Sequence, residues 1–435
     1  MVLVVVRAVS YTWTNFIELY TKIVWESAMK KVLNEIKYWA QALMLLIYGL
    51  SFLFPRNKKI WVFGSTFGRR FADNPRYLYT YLQSNNPKIR AVWITHSKEI
   101  YDFLKNNNTE VYMANSIKGY WLALRGGVYI YDNYSKDVNF WLSGKSLKFN
   151  TWHGLPLKKI QMDNKFDLVR HPQNRWARFR WGLRRLSDEK PSDYILTTSE
   201  FFKGIFSSAF ATKNVVINNY PRIDILNGNL KNNIYLASER IIYDSMLNNQ
   251  RDMVKNIIYM PTFRDSEEKF FEVINMKELL AFLKANKMVF YVKLHPKSKN
   301  LSKFKAVEKD NLVLIDKDSD PYTYLNLTDV LITDYSSIYF DYLVLDKPII
   351  FFAYDLSIYL NESRELYFSY EEFTPGKHVT TMPELIKALT EILVENQDIY
   401  GDNRKKIRDI VFRNSDDFGC EAVTNNIERL LKIDA

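Results

Sequence analysis

A chain of 435 residues is too long for one ordinary domain and fits two of α/β size with extensions. Its 47% hydrophobic content excludes a disordered chain, and its one cysteine, Cys420, excludes an intrachain disulfide and a cysteine-built metal site. Lys and Arg number 60 against 49 Asp and Glu, and the net charge of +11 suits a polyanionic partner: nucleic acid, a phosphorylated substrate or acidic lipid.

Residues 1–55 stand apart. Met1–Val9 is a short apolar run that lacks the basic start and small-residue cleavage site of a signal peptide. Residues 16–38 predict a helix that mixes Phe16, Ile17, Leu19, Ile23 and Trp25 with Lys22, Lys30, Lys31 and Lys37. Trp39–Phe54 is almost wholly apolar and ends at Pro55-Arg56-Asn57-Lys58-Lys59. That run falls short of the about 20 residues a bilayer span needs. With its flanking lysines and tryptophan it predicts a helix lying in the membrane interface on the cytoplasmic face, peripheral or monotopic. Packing on the core and a true span are the alternatives.

From residue 56 the pattern changes to alternating strands and helices. Strands are predicted at Ile60–Phe63, Ala91–Thr95, Val111–Met113, Val128–Tyr131, Leu147–Thr151 and Tyr194–Thr197, with helical stretches between them, the signature of a parallel sheet. The turn Gly64-Ser65-Thr66-Phe67-Gly68 resembles the start of a Rossmann-like half, but without GxGxxG it says little about a dinucleotide. Residues 158–190 carry ten Lys and Arg interleaved with Phe166, Trp176, Phe179 and Trp181. They read either as a solvated basic helix or as a surface that meets phosphate or lipid heads. No RNA or DNA module is present, so no nucleic-acid partner is expected. Asn218–Arg222 marks a domain junction, after which a second alternation has strands at Ile257–Met260, Val289–Leu294, Leu312–Ile315, Val330–Thr333 and Pro348–Phe352. The expected architecture is α/β: two facing Rossmann-like domains, 56–219 and 220–435, with a cleft between them, plus the N-terminal helical segment 1–55.

Chemistry in such folds gathers at strand ends. In Thr151-Trp152-His153-Gly154-Leu155-Pro156-Leu157-Lys158, a histidine sits where the chain must turn, and an imidazole near neutrality can take a proton from an attacking hydroxyl. A lone histidine is more often structural, but this one has company. Thr333-Asp334-Tyr335-Ser336-Ser337 turns from strand to helix and offers hydroxyls and backbone N–H groups to a phosphate. Lys293-Leu294-His295-Pro296 and Thr262-Phe263-Arg264 place cations, an imidazole and a hydroxyl at two further strand ends of the same half. His153 facing such a seat implies phosphoryl-type transfer, in which positioning and charge neutralisation carry most of the catalysis. No carboxylate pair stands beside the phosphate candidates, so no tightly bound metal and no cofactor are expected.

At these motifs the chain resembles the CDP-glycerol glycerophosphotransferases, the teichoic-acid primases and polymerases of Gram-positive bacteria. The likeness runs from about 60 to 420. It rests on Thr151–Gly154 with Pro156-Leu157-Lys158, Pro221-Arg222 with Asp224, Pro261-Thr262 with Arg264-Asp265, Lys293–Pro296, and Thr333–Ser337 with Phe340-Asp341-Tyr342. The resemblance implies a GT-B-like fold with an acceptor-side first domain and a CDP-donor-binding second domain that includes the C-terminal helices. It also implies a CDP-glycerol or other CDP-polyol donor, a lipid-linked or glycan acceptor, a membrane surface as partner, and a place in teichoic acid or capsule synthesis. His153 would be the general base. His295, Ser336, Ser337, Arg264, Lys293 and Thr262 would hold the donor phosphates, with Asp334, Arg222 and Lys158 in support. Leu155 and Asn219-Tyr220 depart from the usual pattern, and the long N-terminal extension of the large polymerases is not seen, which favours a primase or single-unit transferase. Rival readings are a nucleotide-sugar glycosyltransferase on the same fold, a CDP-ribitol enzyme, and a non-catalytic scaffold that binds anionic glycan through 158–190.

Overall fold

The computed structural model describes residues 29, 32–33, 35–36, 39–40, 42–186, 189–230, 233–263, 268–295, 298, 301–356, 359, 365–412 and 417–432. Two parallel sheets form the molecule. The first has seven strands, β1 (Asn57–Phe63), β2 (Arg90–Thr95), β3 (Val111–Met113), β4 (Gly126–Tyr131), β5 (Leu147–Asn150), β6 (Tyr194–Thr197) and β7 (Val215–Ile217), in the order 3-2-1-4-5-6-7. The second has six, β8 (Lys255–Tyr259), β9 (Met288–Val292), β10 (Leu312–Leu314), β11 (Val330–Thr333), β12 (Ile349–Phe352) and β13 (Lys377–Val379), in the order 10-9-8-11-12-13. The central strands are unbroken apolar runs because helices cover both faces: Gly126–Tyr131, Val330–Thr333 and Ile349–Phe352 are buried at every residue.

The strand orders fix where a ligand can sit. Each sheet reverses direction once, between β1 and β4 in the first and between β8 and β11 in the second. At such a reversal the loops leaving two adjacent strands diverge to opposite faces and open a crevice at their carboxyl ends. Four turns singled out in the sequence leave these strands or their neighbours, 64–68 after β1, 151–158 after β5, 260–263 after β8 and 334–337 after β11, and the turn 132–137 after β4 joins them.

Buried ion pairs join the lobes behind the crevice. Arg222 is fully buried and donates to Asp73 at 2.7 Å and to Asp341 at 2.8 Å, with its guanidinium over the Tyr220 and Tyr322 rings. Arg76 meets Glu239 in a bidentate pair at 2.8 and 2.9 Å, and Asp320 accepts the Asp73 backbone N–H. A short strap adds to this. Lys158 bridges Leu366 in antiparallel fashion, Tyr367 N–H donates to Leu157 O at 2.9 Å, and Lys159 pairs with Glu365 at 2.7 Å.

The last two helices, Gly401–Val411 and Gly419–Leu431, leave the second lobe and return to the first. Asp224 accepts the N–H groups of Gly419 and Cys420 at 2.8 and 2.7 Å and so caps the final helix. That helix then runs beside helix Asp73–Asn85, where Asn86 donates to Glu428. The span 220–435, read from the sequence as one unit, therefore folds its tail onto its neighbour.

Of the N-terminal segment, residues 1–28 lie outside the described residues. Residues 42–51 are helical, and no helix among the described residues is long and apolar enough to cross a membrane. Leu43, Leu46, Leu50 and Leu53 project their side chains into solvent. The basic helix Arg175–Leu186 lies alongside. Trp39 and Trp176 rings stand 5.9 Å apart, Arg180 pairs with Glu35 at 2.6 Å, and Trp176 and Phe179 are exposed.

Candidate active site

His153 sits on the exposed lip of the turn that follows β5, and three contacts hold that turn. Thr151 N–H donates to Tyr131 O at 2.8 Å, Asn74 donates its amide to Thr151 O and Trp152 O, and Trp152 N–H donates to the Asn150 side chain at 2.8 Å. Trp152 adopts φ 51°, a left-handed conformation that costs a non-glycine residue on the order of 1 kcal/mol. The Trp152 ring lies 3.9 Å from the imidazole. His153 Nδ1 is 3.0 Å from the backbone carbonyl of Asp132. A carbonyl can only accept, so Nδ1 carries a proton, and the neutral tautomer that keeps this bond has its lone pair on Nε2.

The opposite wall is held by one carboxylate. Asp334, fully buried, accepts Thr262 N–H at 3.0 Å, Thr262 Oγ1–H at 2.8 Å and Ser336 N–H at 2.9 Å. It thereby fixes the loops after β8 and β11 to each other. Ser336 and Ser337 stand at the start of helix Ile338–Tyr342, and among the described residues neither hydroxyl is engaged. The two walls touch at Gly154, where a Cβ would come within 3.1 Å of Ser337 Oγ. Glycine there lets the histidine turn close onto the serine turn.

Two cavities meet at this point. One, of about 300 Å³, is lined by His153, Gly154, Lys158, Thr262, His295, Ser336 and Ser337. The other, of about 840 Å³, opens over the first lobe among Thr66, Phe67, Arg69, Arg70, Asp132 and Tyr134. His153 and His295 line both. Lys158 Nζ stands 3.3 Å from Thr262 Oγ1 and over the stacked rings of Tyr335 and Tyr359, which aims a cation at the smaller cavity.

Seven of the residues expected from the sequence thus come together in or beneath one crevice: His153, Lys158, Thr262, His295, Asp334, Ser336 and Ser337. Three stand elsewhere or beyond view. Arg222 is buried in the ion-paired junction. Lys293 is buried with its amine on Lys317 O at 2.7 Å, and burial, with Arg70 nearby, pushes its pKa down to about 7. Arg264 lies outside the described residues. The sequence reading also passed over Asp132. Its backbone orients His153 while its buried carboxylate accepts Ser65 Oγ–H and Thr66 N–H, and burial, then Asp73, raises its pKa. An acid directly after the apolar strand Tyr129-Ile130-Tyr131 was the available signal.

Two parallel-sheet lobes that bring an imidazole and a lysine of one against hydroxyls and an imidazole of the other define a GT-B-like transferase acting on a phosphorylated donor. The chain belongs to the CDP-glycerol:poly(glycerophosphate) glycerophosphotransferase family, whose profile matches residues 46–429. It is 28% identical over 385 residues to a teichoic acid poly(glycerol phosphate) polymerase of Bacillus spizizenii, covering 82% of this chain and 91% of that one. It is 30% identical over 349 residues to a teichoic acid glycerol-phosphate transferase of Staphylococcus aureus, covering 77% and 84%. Among solved structures, a wall teichoic acid polymerase, TagF, soaked with CDPG superposes with a TM-score of 0.66 at 25% identity, over 87% of this chain and 90% of that one. The glycerophosphotransferase resemblance seen in the motifs is thereby established for the chain.

Proposed function

We propose that the chain transfers glycerol phosphate from CDP-glycerol to a hydroxyl of a lipid-linked or glycan acceptor in teichoic acid synthesis. The second lobe holds the donor and the first lobe presents the acceptor. The donor diphosphate lies in the smaller cavity, its oxygens taking hydrogen bonds from Ser336 and Ser337 and charge from Lys158, with His295 at its rim. The acceptor hydroxyl enters from the larger cavity and gives its proton to His153 Nε2. Its oxygen attacks the phosphorus that carries glycerol, in line with the bridging oxygen. The new O–P bond forms as the bridge to the cytidine phosphate breaks, and CMP leaves with the bonding pair. Asp334 acts as a positioning residue, holding Thr262 and Ser336 in register. Arg222 sets the distance between the walls.

One observation carries this reading: the proton-bearing nitrogen of His153 is bound to a backbone carbonyl, which leaves Nε2 as the acceptor at the meeting point of the two cavities. The test offers the purified chain CDP-glycerol, CDP-ribitol and a nucleotide-sugar with a common acceptor. CMP release from CDP-glycerol is expected. Turnover of the nucleotide-sugar alone would overturn the assignment, and turnover of CDP-ribitol alone would move it to the other polyol.

The same chain is proposed to sit on the cytoplasmic face of the membrane. The support is the exposed leucine row at 43–53 beside the basic, tryptophan-bearing helix Arg175–Leu186. Flotation with anionic vesicles is expected to carry the protein and to fail for a Leu43→Ser, Leu46→Ser, Leu50→Ser variant.

A further inference from the structure

The glycine-rich turn after β1 holds no nucleotide signature, yet it is built with care. Phe67 adopts φ 58° and keeps its ring 43% exposed at the rim of the larger cavity. One buried carboxylate holds it there. Asp137 Oδ1 accepts Phe67 N–H at 2.7 Å, while Oδ2 accepts Asn133 N–H at 2.9 Å and Tyr134 N–H at 3.3 Å. The backbones of two aromatic residues from separate loops are therefore pinned to a single side chain. Their rings lie nearly parallel, 19° apart with centroids at 6.5 Å, and Lys136 Nζ sits 5.1 Å from one centroid and 4.9 Å from the other. The Tyr134 ring is fixed further by Arg170, which donates to its hydroxyl at 2.6 Å. Thr66, next in the chain to Phe67, shares Asp132 with His153, so the platform and the imidazole are mounted on neighbouring atoms.

The geometry points to Phe67 and Tyr134, with Lys136 and Arg69, as the subsite that selects the acceptor by its sugar ring. The inference rests on the transfer reaction proposed above and deepens it. An exposed phenylalanine ring beside a half-buried tyrosine, in an otherwise polar rim, needs a partner with a flat apolar face. A pyranose has such a face in its axial C–H bonds, whereas a linear polyol phosphate has none. Lys136 beside the rings and Arg69 in the lining of the larger cavity then suit a phosphate attached to that ring. The platform accordingly favours an acceptor whose sugar lies within one unit of the attacking hydroxyl, and disfavours an extended poly(glycerol phosphate) end.

The test uses two octyl-linked acceptor probes of matched charge, one ending in an amino-sugar disaccharide that bears glycerol phosphate, the other a linear oligo(glycerol phosphate). Binding is read by calorimetry on the full chain and turnover by CMP release from CDP-glycerol. Phe67→Asn removes the ring while keeping a residue that tolerates positive φ. It is expected to weaken the disaccharide probe about tenfold and the linear probe less than about twofold. Lys136→Gln leaves the backbone untouched and is expected to weaken the disaccharide probe several-fold. An equal loss for both probes, no loss for the disaccharide probe, or wild-type protein that binds neither would overturn the assignment. Failure of the reaction itself reads differently: wild-type protein would then not bind CDP-glycerol, whatever the acceptor result.

Discussion

The junction behind the cleft and the cleft itself both hold residue types that can meet a phosphate, and they use them in opposite ways. In the junction the charges are matched, and all but the half-buried Asp73 are buried. Arg222 sits between Asp73 and Asp341, Arg76 on Glu239. In the cleft the functional groups are half-buried or exposed and keep one face free: His153 Nε2 and the Ser336 and Ser337 hydroxyls. The difference teaches that in a two-lobe transferase phosphate-binding residue types are not by themselves evidence of phosphate binding. Some of them hold the lobes at the separation that makes the others work.

Substitutions can break that contrast or sharpen it. The largest stability effect belongs to Arg222→Met, which leaves Asp341 buried without its partner and is expected to cost about 3–5 kcal/mol in urea denaturation. His153→Ala, on the exposed lip, is expected to cost under about 0.5 kcal/mol in the same assay. Equal losses would erase the distinction.

Lys293 comes next. Its folded pKa of about 7 lies below the unfolded 10.5, so the folded state binds fewer protons between those values and stability rises with pH across that window. The penalty is full below pH 7 and fades toward pH 10.5. Wild-type stability relative to Lys293→Met should therefore climb by on the order of 2–3 kcal/mol between pH 7 and 10. A flat difference would show an amine free to reach solvent, as a phosphate ligand would be.

Ser336→Ala and Ser337→Ala are each expected to weaken CDP-glycerol binding by about 1.5 kcal/mol, roughly tenfold, with stability unchanged. The smallest effect is at Gly154→Ala. The added methyl must shift Ser337 Oγ by a few tenths of an ångström, and donor affinity should fall by under about 1 kcal/mol. A large loss there would mean that the two walls cannot give at all.

These distinctions were only partly legible in the sequence. The strands were, because a parallel sheet buried on both faces writes itself as apolar runs such as Val330–Thr333. Strand β13 was not: Lys377-His378-Val379 is three residues long, polar and at the sheet edge, where neither alternation nor apolar content marks a strand.

For the site, the turns at 151–154 and 333–337 were readable as a set, because a histidine and a serine pair at strand ends kept company with Lys293–Pro296 and Thr262–Arg264. The burial of Arg222, Lys293 and Asp334 was not, since an arginine that grips a phosphate and one that grips two aspartates look alike until their partners are placed. Asp137 lay still further from view. Its role is to bind backbone N–H groups of residues 70, 4 and 3 positions away, a relation that no local spacing announces.

The measurement that bears most directly on the account is CMP release by His153→Ala in the presence of acceptor, alongside its affinity for CDP-glycerol. Loss of the general base should slow release by about 10²–10⁴-fold while donor affinity stays within about threefold of wild type. Near-full CMP release by His153→Ala would contradict the assignment of Nε2 as the proton acceptor.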